Sequence, residues 1–281
     1  MGGIAVVTDS TADLPLELAE DLGLRVVPLT VSFGDEEYIS RITITDEEFY
    51  DRLQRSDALP TTSQPAPAWF EEAYQDCADE GLDAVVSVHL SSELSGTCDV
   101  ARQIARTAPL PVHVVDSRQV SGGLAFAALA AQRRADGGAD VEEIVAAARG
   151  AADRTRTFVV VDTLDYLRRG GRLSGTQAFV GSMLRVKPLL AVNDGKVELE
   201  ERSRTWGRAL DRLTERVRDH ADGRAVDVIV ANAFAEDRAG ELWSSLEAAI
   251  DIGSRLDVVV GPVVGTHTGP GSVGVAVLPE D

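Results

Sequence analysis

Short apolar runs recur through the first half of this chain, each ending in a cluster of hydroxyls or carboxylates and each followed by helical sequence. Residues 4–7 run into Thr8-Asp9-Ser10-Thr11-Ala12-Asp13-Leu14-Pro15, residues 84–88 run towards Ser91-Ser92-Glu93-Leu94-Ser95-Gly96-Thr97, and residues 112–115 end in Asp116-Ser117. Continuous apolar runs of this length suit strands buried on both faces. Strands alternating with helices mean βαβ units and a mostly parallel sheet. Such a sheet gathers its polar strand ends along one edge, where open α/β sheets hold their ligands. Asp13 as a cap and Pro15 in the first turn open a helix that stops at Gly23. Residues 46–53, 69–80, 98–108, 124–131 and 141–152 supply the remaining helices. Residues 24–31 read as a second strand, at a sheet edge because Pro28 lies within it.

Beyond Arg154 the pattern changes. Residues 157–161 read as a strand, followed by a loop over residues 165–174 that carries Arg168, Arg169 and Arg172 around Gly170-Gly171. A helix through Met183 and Leu184 meets Pro188, and residues 189–192 and 197–204 pair across the tight turn Asn193-Asp194-Gly195-Lys196. Helices over 206–220 and 238–250 alternate with strands over 226–231 and 273–278. Antiparallel hairpins with helices between them indicate a mixed α+β unit. The expected architecture is therefore α/β with two domains: residues 1–153 around a mostly parallel sheet, and residues 154–281 mixed.

The chain has 281 residues, enough for two cores, with 44% hydrophobic and 26% charged residues, as in soluble globular proteins. Its net charge of −19 argues against nucleic acid or an anionic membrane surface as a partner. Cys77 and Cys98 form neither a disulfide framework nor a metal-ligand spacing. No basic leader precedes the first strand and no run is long enough to span a bilayer, so a cytoplasmic protein without integral membrane contact is expected.

The familiar catalytic signatures are missing: there is no phosphate loop and no Gly-x-Ser-x-Gly elbow. Gly269-Pro270-Gly271-Ser272-Val273-Gly274 has the letters of a dinucleotide fingerprint but leads into a strand, not a helix. His89, His113, His220 and His267 lack zinc-site spacing, so no metal is expected. His267 lies in a Gly/Thr/Pro-rich turn, where an imidazole can face a cleft. Ser95 reads either as part of a helix cap or as a hydroxyl turned outward to a ligand. Thr62, held in Pro60-Thr61-Thr62-Ser63-Gln64-Pro65-Ala66-Pro67, reads either as part of an ordinary turn or as the fixed polar rim of a site. The arginine loop reads as solvated charge or as an anion or partner contact.

Together, Thr8 to Pro15, Thr62-Ser63-Gln64-Pro65, Ser91 to Thr97, Asp116-Ser117, Leu167-Arg168-Arg169-Gly170-Gly171-Arg172-Leu173-Ser174 and Gly265-Thr266-His267-Thr268-Gly269-Pro270-Gly271 resemble the DegV family, in order and over nearly the whole chain. The resemblance implies a two-domain α/β protein that buries one long-chain fatty acid between its domains. It further implies a subunit of bacterial fatty acid kinase without a catalytic site or cofactor of its own, which presents the carboxylate to a separate ATP-using kinase subunit and carries away the acyl phosphate. Thr62 and Ser95 match the family's carboxylate-binding hydroxyls, and His267 its histidine near the head group. Arg172 and Arg204 match basic positions at the phosphate or the kinase; where the family often follows the latter with a second basic residue, this chain has Trp206. Two other readings stand beside this one. The first is an acyl ester or thioester hydrolase using Ser95 with His267, and the second is a lipid-status sensor acting on a protein partner through the arginine loop.

Overall fold

The computed structural model describes residues 3–56, 58–174 and 186–280. In chain order the first half holds β1 (Ile4–Asp9), α1 (Leu16–Asp21), β2 (Arg25–Val27), β3 (Thr30–Phe33), β4 (Glu36–Ile39), α2 (Asp46–Arg55) and β5 (Thr61–Ser63). It continues with α3 (Pro67–Asp79), β6 (Ala84–His89), α4 (Thr97–Ala105), β7 (Val112–Asp116), α5 (Gly122–Asp136) and α6 (Val141–Arg154). The second half holds β8 (Arg156–Val160), α7 (Asp165–Arg169), β9 (Lys187–Asn193), β10 (Lys196–Ser203), α8 (Trp206–Ala221) and β11 (Val226–Asn232). It closes with α9 (Glu236–Glu247), β12 (Ile252–Val259), α10 (Pro262–Thr268) and β13 (Val273–Pro279).

The apolar runs of the first half become a parallel sheet in the order β2-β1-β6-β7. Every residue of β6 is buried, as a strand covered on both faces requires. His113 stands exposed on β7, at the edge of this sheet. The second half forms a mixed sheet, β10-β9-β8-β13-β11-β12, in which β11 and β12 run parallel and the other pairs antiparallel. The fold is thus α/β, with a parallel sheet N-terminal and a mixed sheet C-terminal. The expected turn joins β9 to β10, with Asp194 at φ 47° and Gly195 at φ 81°. A two-residue hairpin that follows the strand twist needs both residues at positive φ, which Asp-Gly accepts.

Four expectations are corrected. Residues 24–31 form two strands, because Pro28 has no N–H to continue a ladder. The chain leaves the parallel sheet after β2 and enters a small antiparallel sheet, β4-β3-β5. Asp13 does not cap α1: Pro15 holds that place and the Asp13 side chain is buried. Residues 165–169 form α7, so the arginine loop begins as a helix. His267 lies on α10, with Pro262 in its first turn and Gly269 (φ 74°) ending it. Proline at the start and glycine at the end punctuate helices as well as turns, and a single turn or two of helix has too little periodicity to show between them. The helix expected through Met183 and Leu184 lies outside the described residues.

Helix α5 packs between the two halves, against β1 and β6 on one side and β8, β11 and β13 on the other. Its small residues permit this: a Cβ at Gly122 would press on Ala276 and Ile229. One apolar core therefore runs from Val6 and Val86 through Leu124 to Ile229 and Ala276. No helix among the described residues is long and apolar enough to cross a membrane.

Candidate functional site

Where the polar edge of the parallel sheet meets α7 and α10, the chain encloses a cavity of about 590 Å³, counting its open mouth. Among the described residues its polar lining comes from five separated places: Thr11 after β1, Thr62, Ser63 and Gln64 on and after β5, Ser95 before α4, Arg172 after α7, and His267 and Thr268 on α10. A second chamber of about 560 Å³ lies behind it, sharing Val120, Leu167, Val197, Val264 and Thr268 with the first. That chamber is walled by side chains such as Phe158, Val159, Val192, Val260 and Val275. The hydroxyls among its lining residues are committed to protein acceptors: Ser121 Oγ donates to Asp13 (2.6 Å), Thr157 Oγ1 to Gln119 (3.0 Å) and Ser272 Oγ to the Gly269 carbonyl (3.1 Å). The deep chamber therefore offers carbon, and the outer one offers donors.

In the outer chamber Thr62 Oγ1 lies 2.9 Å from His267 Nε2. The other ring nitrogen, Nδ1, is buried without a partner among the described residues, and Gly170 packs so closely over it that a Cβ there would overlap it. A buried N–H without an acceptor is costlier and rarer than an unfilled acceptor, so we assign the proton to Nε2. His267 then donates to Thr62, and the Thr62 hydroxyl hydrogen is left to point into the cavity. Ser95 Oγ meets Thr97 Oγ1 at 2.9 Å, while Gly96 is the N-cap of α4 and no side chain caps that helix. Ser95 is therefore not serving as a cap. Arg172 donates from Nε to the Leu94 carbonyl (3.1 Å) and from Nη1 to the Gly170 carbonyl (2.6 Å). These two bonds hold the guanidinium at the mouth, with Nη2 left over among the described residues.

Thr62, Ser95, Arg172 and His267 thus converge. Arg204 does not: it is exposed just past β10 and lines neither chamber. Ser95 and His267 share the cavity, but Ser95 Oγ is hydrogen-bonded to Thr97 and His267 Nε2 to Thr62.

A buried network behind the wall escaped sequence reading. Asp9, at the end of β1, accepts from the backbone N–H groups of Thr11 (3.0 Å) and Leu90 (3.1 Å) and from the Thr11 hydroxyl, and His89 Nδ1 lies 3.0 Å away. His89 Nε2 meets Ser87 Oγ at 2.7 Å, which meets the Tyr74 hydroxyl at 2.9 Å. Thr11 and Leu90 both line the outer cavity, so a fully satisfied buried network sets part of its wall. The Asp9-Ser10-Thr11 cluster was a visible signal; its partner His89, 80 residues away, was not.

The family model described as "Uncharacterised protein, DegV family" matches residues 3–280. The chain belongs to the DegV family. A DegV domain-containing protein of Streptomyces coelicolor is 46% identical over 275 residues, covering 98% of each chain. Among solved structures, a DegV family protein of Thermus thermophilus, described by its fatty acid binding, superposes with a TM-score of 0.92 at 35% identity, covering 99% of this chain and 100% of that one. DegV of Bacillus subtilis, described as a fatty acid binding protein, superposes with a TM-score of 0.87 at 33% identity, covering 100% of both.

In this DegV protein two buried groups titrate in opposite senses. Burial, and then the Arg172 charge, push His267 down from 6.5 to about 4. Burial pushes Asp13 up from 3.8 to about 6, against the pull of Arg41. As pH falls from 6.5 to 4 the unfolded histidine takes a proton that the folded one refuses, so stability is lost. As pH falls from 6 to 3.8 the folded Asp13 takes a proton that the unfolded one refuses, so stability is gained. Each contribution is on the order of 3 kcal/mol at full extent. We expect Asp13→Asn to steepen the loss of stability between pH 6 and 4, and His267→Gln to flatten it, in urea unfolding followed across that range.

Proposed function

We propose that this protein binds one long-chain fatty acid, with the carboxylate at Thr62, Ser95 and His267 and the tail running into the deep chamber. Residues 1–153 and 154–281 are the two domains that close on it. The observation that carries this reading is the sequence of linings: rotatable hydroxyls and a guanidinium at the mouth, then a wall of apolar side chains behind. A buried carboxylate costs several kcal/mol unless donors meet it. Thr62 and Ser95 supply two hydroxyls, and Arg172 a charge. A sixteen-carbon tail gains on the order of 10 kcal/mol from burial at ~0.8 kcal/mol per methylene, before ordering costs. The relatives described as fatty-acid-binding support the same ligand class.

In this reading the protein is a binding subunit without a catalytic site. It presents the carboxylate to a separate ATP-using kinase subunit, with Arg172 and Arg204 contacting the phosphate or that partner, and it carries the acyl phosphate. A lipid-status sensor using the arginine loop around Arg172 would bind its partner without phosphoryl transfer. A Ser95 hydrolase is the less favoured reading, since the nearest partner of the His267 Nε2 atom is Thr62 and not Ser95. The purified protein is expected to form no acyl phosphate from ATP and oleate, and to turn over no nitrophenyl ester; acyl phosphate appears on addition of the kinase subunit. Ester turnover that vanishes in Ser95→Ala would replace this account with the hydrolase.

A further inference from the structure

The stretch that leads into α10 is gripped at three consecutive residues by side chains from the first half of the chain. Arg41 Nη2 donates to the Val259 carbonyl (2.7 Å), the Tyr50 hydroxyl to the Val260 carbonyl (2.9 Å), and the Gly261 N–H to Asp13 Oδ1 (2.9 Å). Gly261 is the N-cap of α10, so Asp13 takes the first N–H of the helix that carries His267. The other Asp13 oxygen takes the Ser121 hydroxyl at 2.6 Å, and Ser121 and Gly122 line the deep chamber. We propose that Asp13, with Arg41 and Tyr50 beside it, is a positioning clamp for the fatty acid site, setting α10 so that His267 reaches Thr62 and turning the Ser121 hydroxyl away from the tail. This rests on the fatty-acid reading.

Three features point to positioning beyond simple packing. Asp13 and Ser121 both hold a positive φ, 57° and 53°, although neither is glycine. Such strain persists where the surroundings over-determine it, and it clusters at ligand clamps. Asp13 is 1% exposed, so its carboxyl is committed to these partners and does not serve solubility. The space is also closed: a Cβ at Gly261 would crowd both Asp13 Oδ1 and the Arg41 guanidinium. Arg41 is itself fixed by Asp46 (3.0 Å) and the Leu14 carbonyl (2.8 Å), so the clamp is braced from the β4–α2 connection and from α2. One carboxyl thus ties the end of the first strand's polar cluster to the head-group helix and to the wall of the tail chamber.

The test compares oleate with oleyl alcohol, which has the same tail and no carboxylate, on folded wild type, Asp13→Ala and Asp13→Asn. Asparagine keeps an oxygen for Gly261 and an N–H for Ser121. Asp13→Ala is expected to lose about tenfold or more of the preference for oleate, as the loss of one aligned bond to a charged group would produce. Asp13→Asn is expected to stay within about threefold of wild type. Without any ligand, the His267 ring resonances in NMR are expected to shift in Asp13→Ala and to hold in Asp13→Asn. Should Asp13→Ala not fold, Tyr50→Phe removes the neighbouring grip and is expected to shift the same resonances. A folded Asp13→Ala with unchanged resonances and unchanged preference overturns the clamp, as does an unfolded Asp13→Ala together with a Tyr50→Phe that leaves them in place. Shifted resonances in a protein whose wild type takes no oleate would uphold the clamp and overturn the fatty-acid reading instead.

Discussion

Replacing Thr62 by Val and Ser95 by Ala together is expected to lower the affinity for oleate by at least about 100-fold, measured by displacement of a fluorescent fatty acid. A hydrogen bond to a charged group is worth ~1.5–3 kcal/mol, and two lost donors leave a partly buried carboxylate underbonded. The methyl ester, which carries no charge, should lose far less. In the proposed site His267 reaches the carboxylate through Thr62, its Nε2 lying 2.9 Å from the Thr62 hydroxyl. His267→Gln, which places an N–H at a similar reach, is therefore expected to retain most of the affinity, and His267→Phe to lose it along with Thr62→Val. Equal losses for oleate and its methyl ester would remove the carboxylate role from these residues.

Filling the deep chamber is expected to change which acids bind. Ala231 on β11 is 5% exposed and lines that chamber beside Val260 and Val275. Ala231→Phe fills it from the wall. Excluding about five methylenes at ~0.8 kcal/mol each removes ~4 kcal/mol, roughly a thousandfold in palmitate affinity. Decanoate, short enough to end before the plug, should bind almost as before. A thermal melt checks that the variant is folded, since overpacking alone costs ~1–3 kcal/mol. If palmitate and decanoate fall together, the tail does not run where the two chambers meet.

The parts that were legible in the sequence are those whose cause is local. Burial on both faces wrote continuous apolar residues into β1 and β6, and the positive φ demanded at two turn positions wrote Asp194-Gly195 between β9 and β10. The polar strand ends were legible for the same reason: they mark where burial stops. Other parts depend on contacts that no window along the chain contains. Thr62 and His267 are 205 residues apart, and Asp13 and Gly261 are 248 apart. Thr62, Ser95, Arg172 and His267 were named together through family resemblance, while the spacing of residues alone left each with an ordinary structural reading beside the functional one. Arg204, matched in the same way, lies exposed outside both chambers. Short helices hid in glycine and proline: α7 and α10 are five and seven residues long, too few for periodicity to outweigh their loop-like composition.

The central claim is that a fatty acid occupies the joined chambers. Mass spectrometry of an organic extract from freshly purified protein, never delipidated, tests it most directly. The account predicts a near-stoichiometric long-chain fatty acid in the extract of the wild type and little in that of the Thr62→Val, Ser95→Ala double variant. An empty wild-type extract, together with no thermal stabilisation by added palmitate or oleate, would contradict it.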